Sequence, residues 1–144
     1  MEIHLGVKAA AYKDGTKLSD VMTWNNYGTE TIPPRPIFQI AAERILSTEE
    51  IAKHAKAYLK NVLNYEFYNQ GDLKQIELVF LQAIGSQSIA EAKRIIKSGG
   101  LAADYPNAPS TTRAKELSKS KGVGKPLYDT GLMLKNLSYE VVED

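Results

Sequence analysis

The chain has 144 residues, enough for one domain burying about two-thirds of its unfolded surface. A hydrophobic fraction of 43%, a charged fraction of 24% and a formal net charge of +1 give no global field toward nucleic acid or an acidic surface. The absence of cysteine excludes disulfides and thiolate metal sites. No apolar run reaches the roughly 18 residues of a membrane span, and the N-terminus lacks a signal peptide's apolar region, so a soluble, cytoplasmic protein is expected.

Taken in order, Ile3, Leu5, Val7, Ala9 and Ala11 alternate with Glu2, His4, Gly6, Lys8 and Ala10, which predicts a strand. Lys13-Asp14-Gly15-Thr16 reads as a turn, and Leu18, Val21 and Met22 have helical spacing up to the segment Trp24–Gly28. Pro33, Pro34 and Pro36 stiffen an extended path, read either as a docking segment or as a connector into the next helix. Pro36 suits a helix start, with Ile37, Ile40, Ala41 and Ile45 as its apolar face. Ser47 and Glu50 have capping-box spacing, opening a helix with the stripe Ile51, Ala55, Tyr58, Leu59 and Val62.

Asp72 and Gln75 suggest another cap, and a long helix (about 72–98) runs to the double glycine Gly99-Gly100. Its first half is apolar nearly all round, through Ile76, Val79, Phe80, Ala83 and Ile84 beside Leu78 and Leu81. Either a subunit interface or a central position in the fold would bury such a helix. From about 101 to 125 the chain reads as an irregular basic loop carrying Arg113, Lys115, Lys119, Lys121 and Lys125. At the C-terminus Asp129 and Thr130 are expected to cap a short helix and Gly131 to relax its first turn. Leu137, Tyr139 and Val141 then alternate as a second strand. The two terminal strands are the clean alternations of the chain. The expected fold is therefore α+β, a single domain with a small antiparallel sheet of the N- and C-terminal strands packed against several helices.

Chemistry is sparse. His4 and His54 have no ligand-spaced partners, and Gly122-Val123-Gly124-Lys125 lacks the strand and spacing of a phosphate-binding loop. Asp104, Asp129 and Glu140 have no partner that would tune a general acid or base, so no catalytic, cofactor-binding or metal residues are expected and the protein reads as a non-enzyme.

Two stretches together resemble a known family. Trp24-Asn25-Asn26-Tyr27-Gly28-Thr29 followed by Ile32-Pro33-Pro34-Arg35-Pro36-Ile37-Phe38 resembles the "WNEFGT…IPPRPFF" pattern of a tailed-phage protein family. Pro106–Thr112 and Lys125–Met133 are similar to its "PNAPST…KPLIDTGxM" pattern, and Leu137–Val141 to its terminal strand. Ile37, Tyr128 and Asn26 depart from it, standing for an aromatic, an aliphatic and an acidic residue. The chain thus looks like the virion morphogenesis or tail-completion family.

The resemblance implies a structural virion protein, assembled in the host cytoplasm as a homo-oligomeric ring in the head–tail neck. Its role there would be collar, tail-completion factor or tail terminator. Its partners would be other neck proteins, the head connector and the tail tube or sheath, with genomic DNA passing without sequence-specific contact and no membrane involved. On this reading Trp24, Tyr27, Pro33, Pro34, Arg35, Phe38, Val79 and Phe80 are interface candidates, with Arg35 expected to meet a neighbour's carboxylate. Gly28, Asp129, Thr130 and Gly131 are expected to hold turns. The alternative is a small nucleic-acid-binding module whose basic 113–125 loop, through Arg113, Lys115, Lys119 and Lys121, contacts phosphate.

Overall fold

The two ends of the chain meet. The computed structural model describes residues 1–120 and 122–143, and β1 (Glu2–Val7) pairs antiparallel with β2 (Leu137–Val142) from Glu2↔Val142 to Val7↔Leu137. Between them lie α1 (Leu18–Tyr27), α2 (Ile37–Leu46), α3 (Glu49–Tyr68), α4 (Leu73–Ser98), α5 (Pro109–Leu117) and α6 (Leu132–Asn136). This is the expected α+β fold with one long helix. The alternation of β1 continues in sequence to Ala11, yet the strand stops at Val7. Lys8 closes the ladder by donating to Asn136 O, and Ala11 forms only an isolated bridge with Lys17. Three alanines after Lys8 offer little of the apolar surface that holds a strand to its sheet.

The core forms on the second half of α4. Ile89, Ala92, Ile95 and Ile96 are buried against Leu18 and Met22 of α1, Ile37 and Ala41 of α2, and Leu101, Met133 and Leu137. Leu5, Val7 and Tyr139 bring the inner face of the sheet onto this cluster. The first half of α4 pairs instead with α3, where the rings of Tyr58 and Phe80 stack at 4.7 Å. The C-terminal half of α4 is thus central in the fold, while in its first half Val79 remains 53% exposed.

Helix ends follow local chemistry. Asp72 caps α4 by accepting from Lys74 N and Gln75 N, and Gly99, at φ +78°, ends it. The cap of α3 is Thr48 rather than Ser47. Ser47 still has the backbone of the α2 terminus (ψ 0°), whereas Thr48 is extended (ψ 148°) and its hydroxyl accepts from Ile51 N. The expected irregular segment 101–125 contains α5. Pro109, in its first turn, presets the helical φ, and Ser118 and Lys119 close the helix with bonds to Ala114 O and Glu116 O. Asp129 does not cap α6. The N-cap position is Gly131, at φ +83° and without a side-chain cap bond, and the Thr130 hydroxyl just before it accepts from Leu132 N.

Candidate functional site

The segment after α1 folds into a tight knot. Gly28 N donates to Trp24 O, Thr29 N to Ile32 O, and the Thr29 hydroxyl accepts from Ile32 N. Gly28 has φ +80°, and a β-carbon there would lie 2.9 Å from Ile32 O and 3.0 Å from Pro34 Cδ, so this turn requires glycine. Pro36, at φ −75° and ψ 66°, forms an inverse γ-turn closed by Ile37 N on Arg35 O, one residue before α2. The knot presents Trp24 at 43% exposure and Tyr27 at 78%, with Pro33 and Pro34 exposed and Phe38 partly buried.

Arg35 does not face a neighbour's carboxylate. It is 7% exposed, and its guanidinium donates to Pro106 O (3.0 Å), Asn25 Oδ1 (3.3 Å) and Tyr105 O (3.4 Å). Five N–H donors in a rigid fork suit three separate acceptors, and burial lowers the pKa of the group. Arg35 is thus an internal strut tying the Pro33–Pro36 run to the Tyr105-Pro106 turn.

Lys115 is a second strut, not a phosphate contact. At 8% exposure its ammonium donates to Tyr128 O (2.8 Å), Lys125 O (2.9 Å) and Gly122 O (3.3 Å). Burial lowers its pKa, Asp129 opposes that shift, and the Arg35 charge adds to it. Two of the three carbonyls flank Leu127, whose φ of +63° is costly for a branched side chain. The ammonium therefore holds that strained turn from both sides. Lys125 is likewise engaged, donating to Lys97 O at the end of α4. Of the expected phosphate contacts, Arg113 and Lys119 are exposed, and Lys121 lies outside the described residues.

These struts draw distant segments into one surface. A groove of about 610 Å³ is lined by Ile32, Pro33 and Arg35, by Pro106 to Pro109, and by Leu127 to Met133. Tyr12 and Val21 complete it, and the Tyr12 pKa is raised by burial and then by Asp129 and Asp14. Beside the knot, Leu5, Gly6 and Val7 of β1 join Met22, Asn26, Tyr27 and Phe38 around a recess of about 240 Å³. Asn107 Nδ2, from the groove lining, and Asn26 Oδ1, from the recess, are buried polar atoms without a hydrogen-bond partner among the described residues.

Val79 and Phe80 lie elsewhere, on a cavity of about 480 Å³ between α3 and α4 that also includes His54, Tyr58 and Asp72. The structure therefore divides the interface candidates between two places. His4 sits 3.2 Å from Glu2 and His54 3.6 Å from Glu50 in surface pairs, and no metal-holding cluster of His, Asp or Glu occurs among the described residues. Tyr105 and Tyr12 gave no signal in the sequence, and Pro106 and Asn107 stood out only within the resembling stretch, because no spacing rule marks a residue that acts through a backbone carbonyl or a lone amide. Leu127 also gave no signal, since nothing in its side chain announces positive φ.

No protein-family model matches the chain, nor does any curated protein or solved structure.

Proposed function

We propose that the chain is a structural subunit of a tailed-phage virion, assembling as a ring in the head–tail neck to join capsid connector to tail while DNA passes through. The observation that carries this reading is the convergence of the resembling stretches. Asn25, Thr31 to Pro33 and Arg35, Pro106 to Pro109 with Thr111, and Leu127 to Met133 are far apart in sequence yet line one groove. The buried cations along this groove, Arg35 and Lys115, are committed to the chain's own carbonyls. Side chains used in this way build a stiff shape for a partner to fit rather than a reactive centre.

Exposed aromatic side chains supply what a protein partner would cover, as Trp24 and Tyr27 of the knot do here. The test is native mass spectrometry of the full chain, alone and with the assembled head connector or tail. A discrete closed oligomer, or fixed stoichiometry on either assembly, supports the neck reading. A monomer that ignores both yet binds DNA with steep salt dependence transfers the assignment to a nucleic-acid module acting through Arg113 and Lys119.

A further inference from the structure

We infer that the outer edge of β1 accepts the outer edge of β2 from a second copy of this chain, so that one antiparallel sheet crosses the subunit boundary. The hydrogen-bonding register carries the argument. Lys8 N donates to Asn136 O at 2.8 Å, in step with the pairs Gly6↔Ser138 and His4↔Glu140. Antiparallel ladders alternate, so His4 and Gly6 bond across to β2 while Ile3, Leu5 and Val7 turn their N–H and C=O groups outward. By the same parity Tyr139 and Val141 face outward from β2, Leu137 N being taken by Met133 O. The sheet holds these two strands, and the outward groups have no backbone partner among the described residues.

A second copy fits better than an arbitrary strand. Because β2 runs antiparallel to β1, repeating the subunit head to tail sets the next β2 antiparallel on β1. The same step keeps Ile3, Leu5, Val7, Tyr139 and Val141 on the core side. The two edges differ, so the contact is heterologous and propagates toward a ring. The exposed Tyr27, on the recess beside the β1 edge, would be covered by the incoming strand.

This contact rests on the ring reading above, and the experiment separates the two. Residue-resolved hydrogen exchange is measured on the full chain, free and in the oligomer formed alone or on the connector. Exchange at Leu5, Val7, Tyr139 and Val141 is expected to slow at least about tenfold on assembly, while His4 and Gly6 are already protected in the free chain. Ile3→Pro removes an outward N–H at the strand start, where proline is tolerated, and is expected to keep the thermal melt while losing the oligomer. Should that variant unfold, exchange in the unaltered chain decides. An oligomer whose four outer amides stay as fast as in the free chain overturns the edge contact and leaves the ring standing. Failure to oligomerise under any of these conditions overturns the ring reading, and this contact with it.

Discussion

The ring of Tyr139 occupies the space that a side chain at Gly85 would need. A β-carbon on Gly85 would overlap the Cδ2, Cγ and Cε2 atoms of that ring, so the sheet packs its ring directly on α4 where the helix has no side chain. Glycine inside a helix costs about 1 kcal/mol relative to alanine, and overpacking a filled site costs about 1–3 kcal/mol. Gly85→Ala is therefore expected to lower the melting temperature despite its better helix propensity. In a Tyr139→Ala background the same change should become neutral or stabilising. A double-mutant cycle measures the coupling, and additive effects would show that the ring does not depend on the glycine.

Lys115 predicts a local rather than a global defect. Replacing it with methionine keeps the stem but leaves the carbonyls of Gly122, Lys125 and Tyr128 without their shared donor. The expected loss is of order 2 kcal/mol, because hydrogen bonds to charged groups are among the stronger ones. It should appear first as faster amide hydrogen exchange at Lys125 and Tyr128, whose N–H groups bond to Gly122 O and Lys125 O in this turn. Arg113→Ala, at an exposed position, should change stability by less than about 0.5 kcal/mol. Equal effects of the two substitutions would return Lys115 to the solvated basic surface suggested by the sequence.

Glu91 ties α4 to α2 and gives the fold an acid-side signature. It accepts two bonds from Arg94 at 2.6 and 2.7 Å and lies 3.6 Å from Arg44. The hydrogen bond from Arg94, with smaller contributions from Arg44, holds its pKa below the ordinary 4.5. Between the folded and unfolded values the unfolded chain binds more protons, so stability falls as pH drops from about 4.5 through the folded value. Above 4.5 the contribution is fully present. Glu91→Gln should cost about 1 kcal/mol or less near neutrality, both arginines being well exposed, and should flatten the acid limb of a denaturation–pH series. An unchanged acid limb would show that the contacts are made equally in both protonation states.

What was legible in the sequence follows from where each signal resides. The pairing of Ile3, Leu5 and Val7 with Leu137, Tyr139 and Val141 was readable, because period-two patterns report which face is buried. Asp72 and Gly99 marked the ends of α4 for equally local reasons. Lys115 and Arg35 were misread because a run of charge shows how many cations there are, not which carbonyls they meet. The Arg35–Pro106 bond spans 71 positions. The groove was invisible for the same reason, although its borders were singled out separately as resembling stretches. Segment 101–125 hid a helix because weak apolar periodicity and many lysines resemble a solvated loop.

The capping correction is itself testable. Thr48, with an extended backbone, has its hydroxyl 3.4 Å from Ile51 N, whereas the Ser47 hydroxyl donates to Arg44 O at the end of α2. Thr48→Ala should cost about 1 kcal/mol, the usual value of a side-chain cap, and Ser47→Ala less than about half of that. Urea denaturation distinguishes them, and a reversed order would restore the capping box read from Ser47 and Glu50.

Tyr27 separates folding from assembly. At 78% exposure it adds little to the core, so Tyr27→Ser should leave the urea midpoint within about 0.5 kcal/mol of the unaltered chain. Its ring nevertheless borders the recess at the β1 edge, beside Phe38. A large aromatic side chain kept in water at that position makes sense if a neighbour covers it, and such residues often dominate the energy of an interface. The expected outcome is a folded variant whose oligomer, followed by native mass spectrometry, dissociates at concentrations at least about tenfold higher than the unaltered chain. Full assembly of Tyr27→Ser would move the contact away from the knot, toward the exposed faces of α3 and Val79.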